Sequence, residues 1–153
     1  MKQHYFQLLE AFEAYLRNQE ASTDDKLQWV CDNLCERLPN YDWAGFYFHQ
    51  KDKDELFLKV FCGEPTEHTH IPFGKGICGQ VALSNETFLV PDVSLQDNYI
   101  SCGITVKSEI VVPIFVNGKN IGQIDIDSHV KNAFDQDDVL LLEKLAVEVG
   151  RLF

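Results

Sequence analysis

The sequence predicts an α+β fold, with a mainly antiparallel sheet, helices from both chain ends covering one face, and a ligand pocket under loops on the other. Three observations predict it. Apolar residues recur at helical spacing near both ends of the chain. Across the middle the period changes to two. Two hairpin signals punctuate that middle region.

The elements follow in order. Phe6, Leu9, Phe12 and Leu16 predict a first helix over 2–18. Ser22, with an acid at Asp25 three residues on, is an N-cap signal for a second helix. That helix turns Leu27, Val30, Cys31, Leu34, Cys35 and Leu38 inward, and Pro39 ends it. In the next segment Trp43, Gly45, Tyr47 and His49 share one strand face, and Ala44, Phe46 and Phe48 share the other. A turn at 51–54 leads into a return strand at 56–62, and a polar loop runs over 63–70. Glycines 74 and 76 open a short helix at 77–83, followed by a short strand at 87–90 and an irregular loop at 92–106. Strands at 109–116 and 120–127 flank Asn117-Gly118, a strong hairpin turn. Asp135 caps the last helix, whose stripe is Val139, Leu142, Leu145, Ala146, Val149 and Leu152.

The chain of 153 residues is long enough for one domain with its own core, and it is read as a single domain over 1–153. Its formal net charge of −11 repels phosphate backbones, so neither nucleic acid nor an anionic membrane is an expected partner. No apolar run approaches the ~20 residues that span a bilayer. The first residues carry no signal-peptide pattern, so a cytoplasmic location is expected. Five cysteines are then mostly reduced thiols, and their odd count does not suit a purely structural disulfide framework. No Cys-x-x-Cys occurs, and His68 and His70 have no standard ligand spacing to a cysteine, so neither a metal nor a cofactor is expected.

Chemistry concentrates in a few residues. Cys102 lies in a polar loop and Cys78 where a glycine turn meets a helix start; backbone N–H groups there favour negative charge. A small buried apolar residue is the alternative for Cys78. Gln123, Asp125 and Asp127 alternate on one strand face, and Glu109 adds a carboxyl from the partner strand. Such a row is either a solvated face or a cation-binding, proton-donating cluster in which one acid raises the pKa of another. Trp43 and Tyr47 are either core packing or an aromatic wall for an apolar, sulfur-containing or cationic group. Cys31, Cys35 and Cys62 are expected in the core, Cys62 with a possible helper role.

Several motifs stand in a shared order: 42–47 (DWAGFY), 71–79 (IPFGKGICG), 91–93 (PDV), 100–102 (ISC), 107–114 (KSEIVVPI) and 121–128 (IGQIDIDS). Together they resemble the GAF-domain free methionine-(R)-sulfoxide reductases, over nearly the whole chain. The resemblance implies a GAF-like fold and reduction of the sulfoxide of free, not protein-bound, methionine. It implies Cys102 as the nucleophile and Cys78 as another of the family's redox cysteines. Glu109, Asp125 and Asp127 then hold the substrate ammonium and polarise the sulfoxide oxygen, with Trp43 and Tyr47 around the methyl-sulfur end. Implied partners are free methionine sulfoxide and a thioredoxin-type or other thiol reductant. A homodimer is also implied, because GAF domains often pair through their terminal helices.

The sequence departs from the pattern at His68, where the family usually carries a resolving cysteine, and at Gly103, where an acid usually follows the nucleophile. Recycling then runs by Cys78, by Cys62 or by an external thiol. The competing reading is a GAF module that binds an amino-acid-like ligand, or acts as a redox sensor, without turnover.

Overall fold

A computed structural model describes residues 1–96 and 105–153. The elements are α1 (Gln3–Leu16), α2 (Thr23–Arg37), β1 (Trp43–His49), β2 (Glu55–Cys62), β3 (His70–Pro72), α3 (Gly76–Ser84), β4 (Phe88–Val90), a 3-10 turn (Val93–Leu95), β5 (Ser108–Val116), β6 (Lys119–Ser128) and α4 (Gln136–Gly150). The strands form one antiparallel sheet in the order β3-β2-β1-β6-β5-β4. β1–β2 and β5–β6 are hairpins. In the second, Asn117 and Gly118 take φ 51° and 77°, the left-handed pair whose twist fits the flanking strands. The central pair β1–β6 joins distant parts of the chain, with Trp43 opposite Asp127 and Tyr47 opposite Gln123.

Strand alternation divides the sheet into two apolar faces. Ala44, Phe46, Ile110, Val112, Ile124 and Ile126 pack under α1, α2 and α4. Trp43, Tyr47, Leu56, Val90 and Val111 face α3 through Ile77, Cys78 and Val81. The terminal helices thus cover one face, as the sequence predicts. Three local expectations need correction. Phe6 is exposed, and the buried stripe of α1 runs through Tyr5, Leu8, Leu9, Phe12 and Leu16, which spans a single helical face. Residues 70–72 form an edge strand paired with Glu55–Phe57, too short for alternation to reveal. Cys35 is half-buried rather than sealed in the core.

Both predicted caps form. Ser22 Oγ accepts the Asp25 N–H at 3.1 Å, and Asp135 and Asp138 make a reciprocal capping box. Asp138 does more than cap. Its Oδ1 accepts the Tyr5 hydroxyl at 2.6 Å and the Tyr41 hydroxyl at 2.7 Å, while Oδ2 accepts the Asp135 N–H at 2.8 Å. One buried carboxyl therefore ties α1, the entry to β1 and the start of α4 together. Burial, together with the neighbouring Asp138, raises the pKa of both tyrosines. No described helix is long and apolar enough to cross a membrane.

Asp138→Ala strands both hydroxyls, and at ~1.5 kcal/mol or more per lost bond the unfolding free energy should fall by about 3 kcal/mol in urea denaturation. Tyr41→Phe removes one donor only and should cost about half as much. A loss below ~1 kcal/mol for Asp138→Ala would show that the junction is not held by this group.

Candidate functional site

The residues with chemistry occupy three adjacent strands on the face away from the terminal helices. By register, Trp43, Gly45 and Tyr47 of β1 lie opposite Asp127, Asp125 and Gln123 of β6. Glu109 and Val111 of β5 lie opposite Asp127 and Asp125 from the other side. The period-two alternation of all three strands brings these side chains to one face. α3 closes over them: the Cys78 thiol donates to Asp125 Oδ2 at 3.4 Å and lies 4.0 Å from Glu109 Oε2. Gln123 Nε2 donates to the Cys78 carbonyl at 3.1 Å, fixing the helix to β6.

The acids are not a solvated face. Glu109, Asp125 and Asp127 are 4%, 0% and 2% exposed. Burial is the largest cause raising the pKa of Asp125. Asp127 is pushed further up, by burial first and then by the charge of Asp125. Glu109, beside both aspartates, partly offsets each rise. Raised pKa values on two adjacent buried acids favour a retained proton in the trio. Among the described residues, Asp125 Oδ1, Asp127 Oδ1 and Gln123 Oε1 are buried with no hydrogen-bond partner. Burying acceptors in this way is unfavourable unless a ligand supplies donors.

The aromatic residues border the acids and hold the loop beside them. The Trp43 ring stacks on Phe61 at 5.8 Å between centroids and lies tilted 6.4 Å from Tyr47. Trp43 Nε1 donates to the Glu64 carbonyl at 3.0 Å, and the Tyr47 hydroxyl donates to the His68 carbonyl at 2.8 Å. Gly45 makes this possible: a Cβ there would come within 2.3 Å of Trp43 Cη2. The Trp43 ring therefore covers the β1 position that faces Asp125.

Of the residues singled out from sequence, Trp43, Tyr47, Cys78, Glu109, Asp125 and Asp127 come together. Cys102 lies outside the described residues. Cys62 packs on the opposite face, where the Cys35 thiol donates to its carbonyl at 3.7 Å. Burial and the Cys62 thiol push the Cys35 thiol up to about 12, and burial pushes Cys31 well up. Cys31 alone of the three is fully buried, and Cys62, like Cys35, is half-buried against the core. His68 lines a cavity of about 10 Å³ that reaches Cys78 and Glu109. A second cavity, about 50 Å³, reaches Asp127 between Trp43 and His129. A cavity of about 720 Å³ lies between β5 and α4, away from the acids, and its lining contains no thiol. Gln123 is the neighbour that sequence reasoning undervalued. Its alternation with Asp125 was visible, but its bond to Cys78 joins residues far apart in the chain.

A GAF domain model matches residues 20–153. The free methionine-R-sulfoxide reductase of Saccharomyces cerevisiae is 40% identical, over 93% of this chain and 85% of that protein. The Escherichia coli protein of the same name is 36% identical, over 78% and 70%. The chain belongs to the GAF-domain free methionine-R-sulfoxide reductase family. The family member from Neisseria meningitidis, solved in complex with its substrate, superposes with a TM-score of 0.90 at 35% identity, covering 96% of this chain and 86% of that one. The GAF fold expected from the motifs is thus the fold found.

Folding raises the pKa of Asp127, so the folded chain binds that proton more tightly than the unfolded chain does. Stability from this group is greatest below the ordinary carboxylate range and falls as pH rises toward the raised value. Asp127→Asn removes the effect. Thermal melts should give the variant a higher Tm than the parent at about pH 8, with the advantage shrinking toward about pH 4. A difference that does not change with pH would mean that Asp127 is not titrating in the folded protein.

Proposed function

We propose that this chain reduces free methionine-R-sulfoxide to methionine, with Cys102 as nucleophile. The observation that carries the reading is the trio of buried carboxyls beside an aromatic wall, in a chain of this family. Unpartnered acid oxygens suit the ammonium of a free amino acid, which donates several hydrogen bonds at once. A peptide-bound methionine has no such group, so the acids favour the free substrate. The carboxyl that keeps its proton supplies a donor to the sulfoxide oxygen, where charge develops as the S–O bond breaks. Trp43 and Tyr47 offer ring faces and edges to the methyl-sulfur end.

The reaction balances as follows. The Cys102 thiolate attacks the sulfoxide sulfur, the oxygen passes to Cys102 as a sulfenic acid with protons from the site, and methionine leaves reduced by two electrons. A second thiol then attacks the sulfenic sulfur, releases water and forms a disulfide, which an external dithiol of the thioredoxin class reduces. Cys62 faces the other side of the sheet, which favours Cys78 or an external thiol for that step. Cys78 lies beside two of the acids, on the same face of the sheet, so it suits the role of resolving thiol. The reading takes the protein to be cytoplasmic, where such reductants keep thiols reduced.

Purified protein mixed with free methionine-R-sulfoxide should release methionine with dithiothreitol or with a thioredoxin system. No methionine with either reductant would leave a binding module without turnover. Cys102→Ser should abolish release, and unchanged turnover would refute the nucleophile. Asp125→Asn removes one charged partner of the ammonium and should raise KM by about tenfold or more; an unaltered KM would move the ammonium elsewhere.

A further inference from the structure

We propose that Cys78, Glu109 and Asp125 form a binding site for one soft divalent cation, Zn²⁺ or Cd²⁺ by class, at the heart of the acid cluster. The cysteine sulfur and one oxygen of each acid lie within 4.8 Å of one another, and all three residues are buried. The sulfur stands 3.4 Å from Asp125 Oδ2 and 4.0 Å from Glu109 Oε2. In a tetrahedral site with metal–sulfur and metal–oxygen bonds of usual length, the sulfur–oxygen edge is about 3.6 Å. The two sulfur–oxygen distances therefore stand within a few tenths of an ångström of that edge before any cation enters.

The donor set selects the metal. One thiolate with two carboxylates suits Zn²⁺ and Cd²⁺, whereas Mg²⁺ and Ca²⁺ take oxygen ligands throughout. A second observation points to a cation independently of the cluster's acidity. Asp127 Oδ1 and Gln123 Oε1, on the same strand face, are buried acceptors with no donor among the described residues. Gln123 also holds the Cys78 carbonyl through its Nε2 at 3.1 Å, the kind of outer contact that orients a ligating residue. The small cavity lined by His68 and Ile71 opens onto Cys78 and Glu109 and measures about 10 Å³. That is about the room one water molecule needs, enough for a fourth ligand. Rigid placement on β5, β6 and the first turn of α3 means little rearrangement on binding.

Binding itself stands apart from the reductase reading. Its consequence rests on that reading: a cation here occupies the acids assigned to the substrate ammonium and ties up Cys78, so it blocks turnover and recycling together.

The test titrates the reduced full-length protein with Cd²⁺ and reads the ultraviolet thiolate-to-cadmium absorption band. One equivalent should saturate it. Cys78→Ser should abolish the band, while Cys35→Ser, on the other face of the sheet, keeps it. Asp125→Asn should weaken Cd²⁺ binding by about tenfold or more, and Glu109→Gln provides the same check if the first variant does not fold. A band of equal intensity in Cys78→Ser, or parent-like affinity in a folded Asp125→Asn or Glu109→Gln variant, overturns the site. Excess free methionine sulfoxide should displace the cation. Failure to displace it while the Cys78 dependence holds supports the metal site and counts instead against placing the substrate on these acids.

Discussion

Three carboxyl groups buried side by side on one sheet face are unfavourable in isolation, and the rest of the structure is arranged around holding them there. Desolvation alone drives buried acids toward their neutral forms, and Asp125 adds its charge against Asp127. The chain meets this with Glu109, which partly offsets both rises, and with Cys78, which donates to Asp125. It does not fully satisfy them, since an oxygen of each aspartate has no partner among the described residues. Oxygens left short of donors in this way suit an ammonium, which supplies them, or a dication, which takes the oxygens as ligands.

The two faces of the sheet divide the work. Under the terminal helices, Phe46, Ile110, Ile124 and Leu142 make a dry core in which Cys31 is one more small apolar group. The Asp138 junction ties the two chain ends together on that side. The other face trades part of its core for polar groups, and β1 carries both. Ala44 and Phe46 serve the core while Trp43 and Tyr47 border the acids, so the central strand links the two faces.

Much of this was legible from spacing. The alternation from Trp43 to His49 assigned each side chain to its face, and the same period placed Asp125 and Asp127 together. Ser22 and Asp135 announced two helix starts, and Asn117-Gly118 announced the hairpin. Other features were not legible for identifiable reasons. Phe6 fits a helical period as well as Leu9 does, and only the direction in which α1 docks on α4 separates them. The strand at 70–72 exists because Glu55–Phe57 lies beside it, since three residues hold too little pattern of their own. Cys62 and Cys78 look alike as lone thiols, yet one packs with Cys35 beneath α2 and the other sits among acids.

Local sequence alone determined the α+β class, the faces of the strands, the caps and turns, and, through its motifs, the resemblance to a reductase family. Those features depend on neighbours a few residues apart, where backbone geometry ties sequence to direction. Burial of the acids was decided only by the tertiary structure. On sequence alone, Asp125 and Asp127 fit a solvated face as well as a pocket, because alternation states which side a residue takes and not what lies above it. Cys78, Glu109 and Asp125 stand far apart in the chain with no ligand spacing among them. The pairing of β5 with β6 and the docking of α3 bring their atoms within 4.8 Å, and long-range packing of that kind leaves no local mark in the sequence.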